Sequence, residues 1–341
     1  MGIRLRVASP SDEVSIGVLM AELMPHADTA RRYDWLYRSN PHGAAVTVLA
    51  TDEDSGELVG MTSAFPRRMQ VRDRIVLGAL GGDGWVRPQF RRRGIGSLLH
   101  LASRAAQAAR GIQMMFGTPS PANATALRMA GGRDVASLRR WVRPLFGRPW
   151  RHRCSARLVA AEPGDVRLDA AWTAFARESR IATVRDSEFL RWRFQDAPSA
   201  AQTLWVVQDA RGTVLGSCAL ETRDRRVRVI DLVACRERIP LVMAAIRAES
   251  PDAVALEMRL DDTTARACGL WRRGFIPRER IPLNVLMSST VGWDDTSLAN
   301  SRDWFSTWAD SDLDTTWRSE QASLTSTHSH AAERNLLTKS R

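Results

Sequence analysis

Ile3, Leu5 and Val7 alternate with polar positions, the two-residue period of a strand with one buried face. Ser9-Pro10-Ser11-Asp12-Glu13 supplies capping hydroxyls and early acids, which predicts a helix to about Met24. A second short helix is predicted over Ala30 to Arg38. It stops before Asn40-Pro41, because the residue ahead of a proline disfavours helical backbone. Val46–Thr51 and Glu57–Ala64 read as hairpin strands around the Asp-Glu-Asp-Ser-Gly turn, and Ile75–Val86 as a further strand. An alanine-rich helix is predicted from about Gly94 to Arg110, closed by Gly111. Ile112–Phe116 is a short apolar strand, a helix follows near Asn123 to Ala130, and Val135–Val142 is a last strand. Strands and helices mixed in this order predict an α/β (α+β) sheet.

The pattern then recurs. Trp35-Leu36-Tyr37-Arg38-Ser39-Asn40-Pro41 reads like Trp192-Arg193-Phe194-Gln195-Asp196-Ala197-Pro198. Leu49 to Gly60 is a strand, an acidic turn with Gly56, then Leu58-Val59-Gly60. Trp205 to Gly216 is a strand, a turn with Gly212, then Val214-Leu215-Gly216. The separations of the two repeats agree to within one residue, as a duplicated unit requires. The expected organisation is therefore one unit over 1–148, a second over 149–290, a docking segment over 291–318 and a disordered polar tail over 319–341.

Composition narrows the functional classes. The chain has 341 residues, room for two domains of ordinary size, with 44% hydrophobic and 26% charged residues. No apolar run is long enough to span a bilayer, and the first residues lack the apolar core of a signal peptide. A cytoplasmic protein without a membrane partner is expected. The formal net charge is +11, and every basic residue except Lys339 is arginine. These arginines are scattered rather than gathered into a stripe, which argues against nucleic acid. Cys154, Cys218, Cys235 and Cys268 form no Cys-x-x-Cys pair and have no histidine at ligand spacing. Reduced thiols and no metal are expected.

One loop carries the chemical signal: Val86-Arg87-Pro88-Gln89-Phe90-Arg91-Arg92-Arg93-Gly94-Ile95-Gly96-Ser97. A strand ends, a basic turn follows, and two glycines open a helix. Glycines admit a close ligand, a helix N-terminus presents free N–H donors and partial positive charge, and arginine suits phosphate oxygens. Together they form a pyrophosphate cradle. The loop lacks the Gly-Lys-Ser/Thr of a Walker loop and the third glycine of the dinucleotide fingerprint.

Arg91-Arg92-Arg93-Gly94-Ile95-Gly96, after Val86 and Pro88, resembles the coenzyme A loop of the GNAT superfamily of N-acyltransferases. Asn123 and Leu127-Arg128-Met129-Ala130-Gly131-Gly132 resemble that family's second cofactor motif. The resemblance covers about residues 3 to 145. With the duplication it implies two tandem GNAT-like domains, each a mixed, mostly antiparallel sheet flanked by helices, the second copy degenerate. It implies acetyl-CoA (acyl-CoA) as co-substrate, held by Gly84, Val86, Arg91, Arg92, Arg93, Gly94, Ile95, Gly96, Ser97 and Asn123. The acyl group would pass to a small-molecule or sugar-type amine by direct attack on the thioester.

Asp83, on the strand just before the cradle, is the candidate base for the acceptor amine, with a structural role as its alternative. The tyrosine that serves the family as general acid is missing, and Arg128 stands at the best-aligned position. Tyr33 and Tyr37, the only tyrosines, fall in the first helices. In the second copy Asp231 takes the place of Asp83, but Ala234 to Leu241 contains no glycine and carries Glu237, so its cradle is lost. Two other readings fit the sequence less closely. One is a tRNA-dependent aminoacyl transferase of the peptidoglycan cross-bridge type. The other is a non-catalytic coenzyme A-binding protein.

Overall fold

The computed structural model describes residues 2–145, 155–198, 201–288 and 302–311. The first copy runs β1 (Ile3–Val7), α1 (Glu13–Leu23), α2 (Thr29–Arg32), a π-helical turn at Tyr33–Arg38, β2 (Val46–Asp52), β3 (Leu58–Val71), β4 (Arg74–Val86), α3 (Ile95–Ala109), β5 (Met114–Gly117), α4 (Pro121–Met129) and β6 (Arg133–Pro144). The second runs β7 (Ala156–Ala160), α5 (Arg167–Ala176), β8 (Ile181–Thr183), α6 (Ser187–Phe194), β9 (Gln202–Asp209), β10 (Val214–Arg223), β11 (Arg226–Val233), α7 (Ile239–Glu249), β12 (Ala255–Asp261), α8 (Asp262–Ala267) and β13 (Ile276–Met287). Equivalent helices start alike. Asp28 caps α2 by accepting from Arg31 N–H, and Asp186 caps α6 by accepting from Phe189 N–H. Ser120 caps α4 and Asp261 caps α8 in the same way, satisfying N–H groups that have no partner within the helix.

Among the described residues one 13-stranded sheet runs through both copies in the order β1-β2-β3-β4-β5-β13-β6-β12-β11-β10-β9-β7, with β8 off this path against β3. Under the duplication, β1 corresponds to β7, β4 to β11, β5 to β12 and β6 to β13, so the order is a palindrome. Its centre lies between β13 and β6, and there the copies exchange their last strands. β13 lies against β5, with Asn284 opposite Gly117 and Leu286 opposite Met115. β6 lies against β12, with Trp141 opposite Met258. The cores follow the exchange: Trp141 packs among second-copy residues and Leu286 among first-copy ones. The sheet therefore crosses the expected division near residue 148, a position that falls outside the described residues, as does the expected tail.

The repeated tryptophans meet at a second contact between the copies. Trp35 and Trp192 stack with ring centroids 4.8 Å apart. The Trp35 indole N–H donates to the Trp192 carbonyl oxygen at 2.9 Å, and Trp192 donates back to the Trp35 carbonyl at 3.1 Å. A stacked pair is worth about 0.5–1.5 kcal/mol beyond its buried area. The two donors are also satisfied where burial makes an unpaired group costly. β3 continues seven residues past the Ala64 at which the apolar pattern ends. Arg67 and Arg68 obscure this extension in the sequence. The Arg67 guanidinium lies 4.7 Å from the Trp192 ring centroid, and the strand end pairs with β8. The segment around Trp304 docks on the body, with Trp304, Phe305 and Asp310 all buried.

Candidate active site

β4 and β5 run parallel, but only Ala79–Met115 and Leu80–Phe116 pair. Beyond them the strands diverge, leaving the cleft-facing edge of β4 from Gly82 to Val86 without a neighbouring strand. A cavity of about 420 Å³ belongs to the second copy, whereas the opening beside β4 holds about 320 Å³. The β4 opening is lined by Gly84, His100, Phe116, Asn123, Leu127 and, from the exchanged strand, Asn284. Asn284 is held by its amide N–H2, which donates to Asp134 Oδ1 at 3.0 Å. Its side-chain oxygen lies 2.6 Å from where a Cβ on Gly132 would stand, so Gly132 accommodates a strand from the other copy.

The basic loop follows β4 and leads into α3, whose His100 lines this cleft. After a short 3-10 turn at Pro88–Phe90, Arg92 and Gly94 take left-handed backbone, with φ 61° and 77°, and α3 begins. Arg91, Arg92, Arg93 and Gly94 are exposed, and the first N–H groups of α3, at Ile95, Gly96 and Ser97, have no acceptor within the helix. Nothing lies within 4 Å of where a Cβ on Gly94 would stand. Arg91 folds back, donating from Nε to Val86 O at 2.8 Å and covering the Trp85 ring at 4.4 Å. Arg93 lies over Phe90. Arg87 is committed to Glu22 and Glu57, both at 2.6 Å. Gly96 has a packing role: a Cβ there would meet Ala126 Cβ at 3.2 Å, so it also allows α3 and α4 to approach. The helix N-terminus, open glycine and exposed arginine side chains fit a pyrophosphate.

Asp83 faces the cleft from a bulge in β4, with φ 48° and pairing to β3 interrupted between Met61 and Ser63. Its Oδ1 accepts from Arg32 at 2.8 Å and its Oδ2 from the Tyr37 hydroxyl at 2.8 Å, with the Arg32 and Asp83 side chains each 2% exposed. Burial, reinforced by the Asp83 charge, raises the Tyr37 pKa well above the ordinary phenol value. Tyr37 is therefore a neutral donor that fixes Asp83. Arg128, at the position aligned with the missing acid, forms an exposed pair with Asp134 at 2.8 Å.

Residues 18–131 match the family model of the acetyltransferase (GNAT) family. This part of the chain is a GNAT domain. Solved structures match the fold of nearly the whole chain. A GCN5-related N-acetyltransferase from Anabaena variabilis superposes with TM-score 0.66 at 13% identity, covering 84% of this chain and 73% of its own. Another from Kribbella flavida gives TM-score 0.62 at 15% identity, covering 84% and 72%. A tandem GNAT protein from the clavulanic acid biosynthesis pathway gives TM-score 0.52 at 15% identity, covering 84% of this chain and 99% of its own. At these identities the likeness is one of fold, and it extends the GNAT architecture to the second copy. No curated protein sequence matches the chain. GNAT proteins typically use acetyl-CoA. Among the described residues no cluster of His, Cys, Asp or Glu could hold a metal, and no helix is long and apolar enough to cross a membrane.

The second copy keeps the diverging strands but not the cradle. β11 and β12 pair from Arg226–Ala255 to Val229–Met258 and then separate. Where the GNAT loop opens in the first copy, a 3-10 turn at Arg236–Arg238 leads into α7. The Arg236 N–H donates to Glu178 Oε2 at 3.0 Å, and Pro240 removes a further donor from the helix start. Asp231 is buried like Asp83, but it pairs with Arg185 at 2.9 Å, and Arg185 also pairs with Asp310 of the docked segment at 2.6 Å. Burial works against the Arg185 charge, yet the two carboxylates more than offset it and hold its pKa raised. His100, Arg32 and Asn284 line the GNAT cleft although the sequence reading did not select them. Arg32 and Asn284 come from distant segments, and His100 stands in an otherwise ordinary helical pattern.

Proposed function

We propose that the chain is an acyl-CoA-dependent N-acyltransferase with one working site, in the first copy, acting on a small-molecule amine in the cytoplasm. The observation that carries the proposal is the β4–β5 cleft, lined by His100 of α3, together with the exposed arginines and Gly94 that precede that helix. The N–H groups of Ile95, Gly96 and Ser97, with Arg92 and Arg93, would hold the pyrophosphate. Gly84 and Val86 would border the pantetheine arm with backbone groups released by the divergence of β5, and Asn123 would face it from α4. When bound, acyl-CoA supplies an activated thioester.

The chain's residues bind, orient and stabilise. A backbone N–H on the free edge of β4 can donate to a carbonyl oxygen as negative charge develops there. Asp83 presents a carboxylate to the cleft. To take a proton from an ammonium acceptor it must yield one of its two hydrogen bonds, and the Tyr37 hydroxyl is the neutral partner that can be exchanged. Arg32 holds the charge in place. Arg128 is held in its exposed pair with Asp134, so the thiolate would leave without a positioned acid, which a thiol pKa of about 8.5 allows.

The test is release of coenzyme A thiol from acetyl-CoA across a panel of amines, with and without charged tRNA. Amine-dependent release without tRNA supports the proposal. Tight binding without release on any amine favours the non-catalytic reading, and strict tRNA dependence favours the cross-bridge type. Genomic neighbours of the coding sequence would narrow the acceptor.

A further inference from the structure

α3 buries Ile95, Leu99, His100, Ser103 and Gln107. His100 is 3% exposed, and its Nε2 lies 2.7 Å from Asn123 Oδ1. Its Nδ1 is buried and has no hydrogen-bond partner. Burial lowers the imidazole pKa against the opposing pull of the Asn123 hydrogen bond, so the ring is neutral and carries one N–H. An amide oxygen only accepts. The proton is therefore on Nε2, and Nδ1 is left as an unpaired acceptor. A leucine would fill this space without leaving a buried polar atom unsatisfied, so packing does not account for the histidine.

The hydrogen bond sets the orientation of Asn123. With Oδ1 turned back to α3, the amide N–H2 points forward. A Cβ on Gly84 would lie 3.5 Å from Asn123 Nδ2 and 3.7 Å from Thr62 Oγ1, so the amide N–H2 stands over the face of β4 at Gly84, within the lining of the cleft. An unheld amide can flip and present its oxygen to the same point, where it would repel a carbonyl.

We infer that His100 is a positioning residue that locks the Asn123 amide so that its N–H2 donates across the cleft to an amide carbonyl of the acyl-CoA arm. The inference rests on the acyl-CoA reading of the cleft. It acts on donor binding, since this carbonyl is remote from the reacting thioester.

The test compares wild type, His100→Leu, His100→Gln, Asn123→Ala and the double variant that combines His100→Leu with Asn123→Ala. Acetyl-CoA kinetics and coenzyme A calorimetry are measured for each. His100→Leu should melt no lower than wild type. It should raise the KM for acetyl-CoA and the Kd for coenzyme A together by roughly five- to tenfold, the weight of one net hydrogen bond, with kcat changed less. His100→Gln, whose amide can donate to Asn123 Oδ1, should recover most of the loss. The double variant should bind no worse than Asn123→Ala alone. Wild-type KM and Kd in a folded His100→Leu protein would overturn the inference, as would a double variant clearly weaker than Asn123→Ala. Wild-type protein that binds no coenzyme A would overturn the cleft reading and this inference with it, an outcome separate from normal wild-type binding.

Discussion

At the end of β4 the backbone turns left-handed at Arg92 and Gly94, and the first N–H groups of α3 have no acceptor within the helix. At the end of β11 the corresponding turn gives its Arg236 N–H to Glu178 and lacks a donor at Pro240. The strands leading to both turns keep the same divergence, and each carries a buried aspartate paired with an arginine. The difference is confined to what the loop offers an anion. In the second copy one turn donor goes to the Glu178 carboxylate and the second helical position has no donor, while the first copy has glycines and exposed arginines at the same place. A duplicated fold thus retains its framework because the shared sheet needs it, and it can lose its chemistry through a few loop residues.

The largest break in this comparison comes from cutting the chain. A fragment ending at Arg148 keeps β6 but loses β13, so β5 has an open edge, Leu286 leaves the core, and Asn284 leaves the cleft. It should fail to give a cooperatively folded, soluble protein, as judged by circular dichroism and gel filtration. Co-expression with 149–341 should rescue it. A soluble 1–148 fragment with full activity would remove the second copy from the site.

Next come the two buried aspartates. Asp83→Asn and Asp231→Asn each break a buried ion pair and should each lower stability by about 3 kcal/mol, read by urea unfolding. Only Asp83→Asn should also reduce turnover per folded molecule. Equal turnover losses in both would deny the two copies their different roles.

Much of this comparison is legible in the chain. The alternation at Ile3, Leu5 and Val7, the glycine-closed α3 and the tryptophan repeat give the elements and the duplication from local pattern alone. The strand exchange is not local: β6 would carry the same alternation whether it paired within its own copy or with β12. The Arg32–Asp83 pair joins residues 51 apart, and sequence spacing says nothing of such a meeting. The loop is readable because glycine and arginine are concentrated in one short stretch, the composition that a phosphate site would call for. Gly96 reads in the sequence only as an approach to the ligand, because Ala126, against which it packs, lies on another helix.

A smaller effect tests the loop itself. Ser97 and Leu241 hold the same third position of α3 and α7. An aspartate there complements either helix dipole by about 0.3–1 kcal/mol. Ser97→Asp should nevertheless weaken acetyl-CoA binding roughly tenfold by setting a carboxylate against the phosphates. Leu241→Asp should leave binding unchanged. Equal effects would place the anion site elsewhere.

A further effect, read in the pH dependence of stability, lies at the joint between the copies. His42 stacks on Phe189, and burial with Arg67 and Arg68 nearby lowers its pKa to about 3. The unfolded chain takes up this proton at about pH 6.5 while the folded chain does not. Its contribution to stability is present above pH 6.5 and is lost as pH falls toward 3. His42→Gln should flatten that part of the thermal midpoint profile, and an unchanged slope would assign it to other groups.

The central claim is that one of two similar clefts binds acyl-CoA. Titration of the full chain with a non-hydrolysable acetyl-CoA analogue by calorimetry tests it most directly. The account predicts one equivalent per chain, abolished or strongly weakened by Ser97→Asp and unaffected by Leu241→Asp. Two equivalents per chain, or one equivalent lost only on substitution in α7, would contradict it.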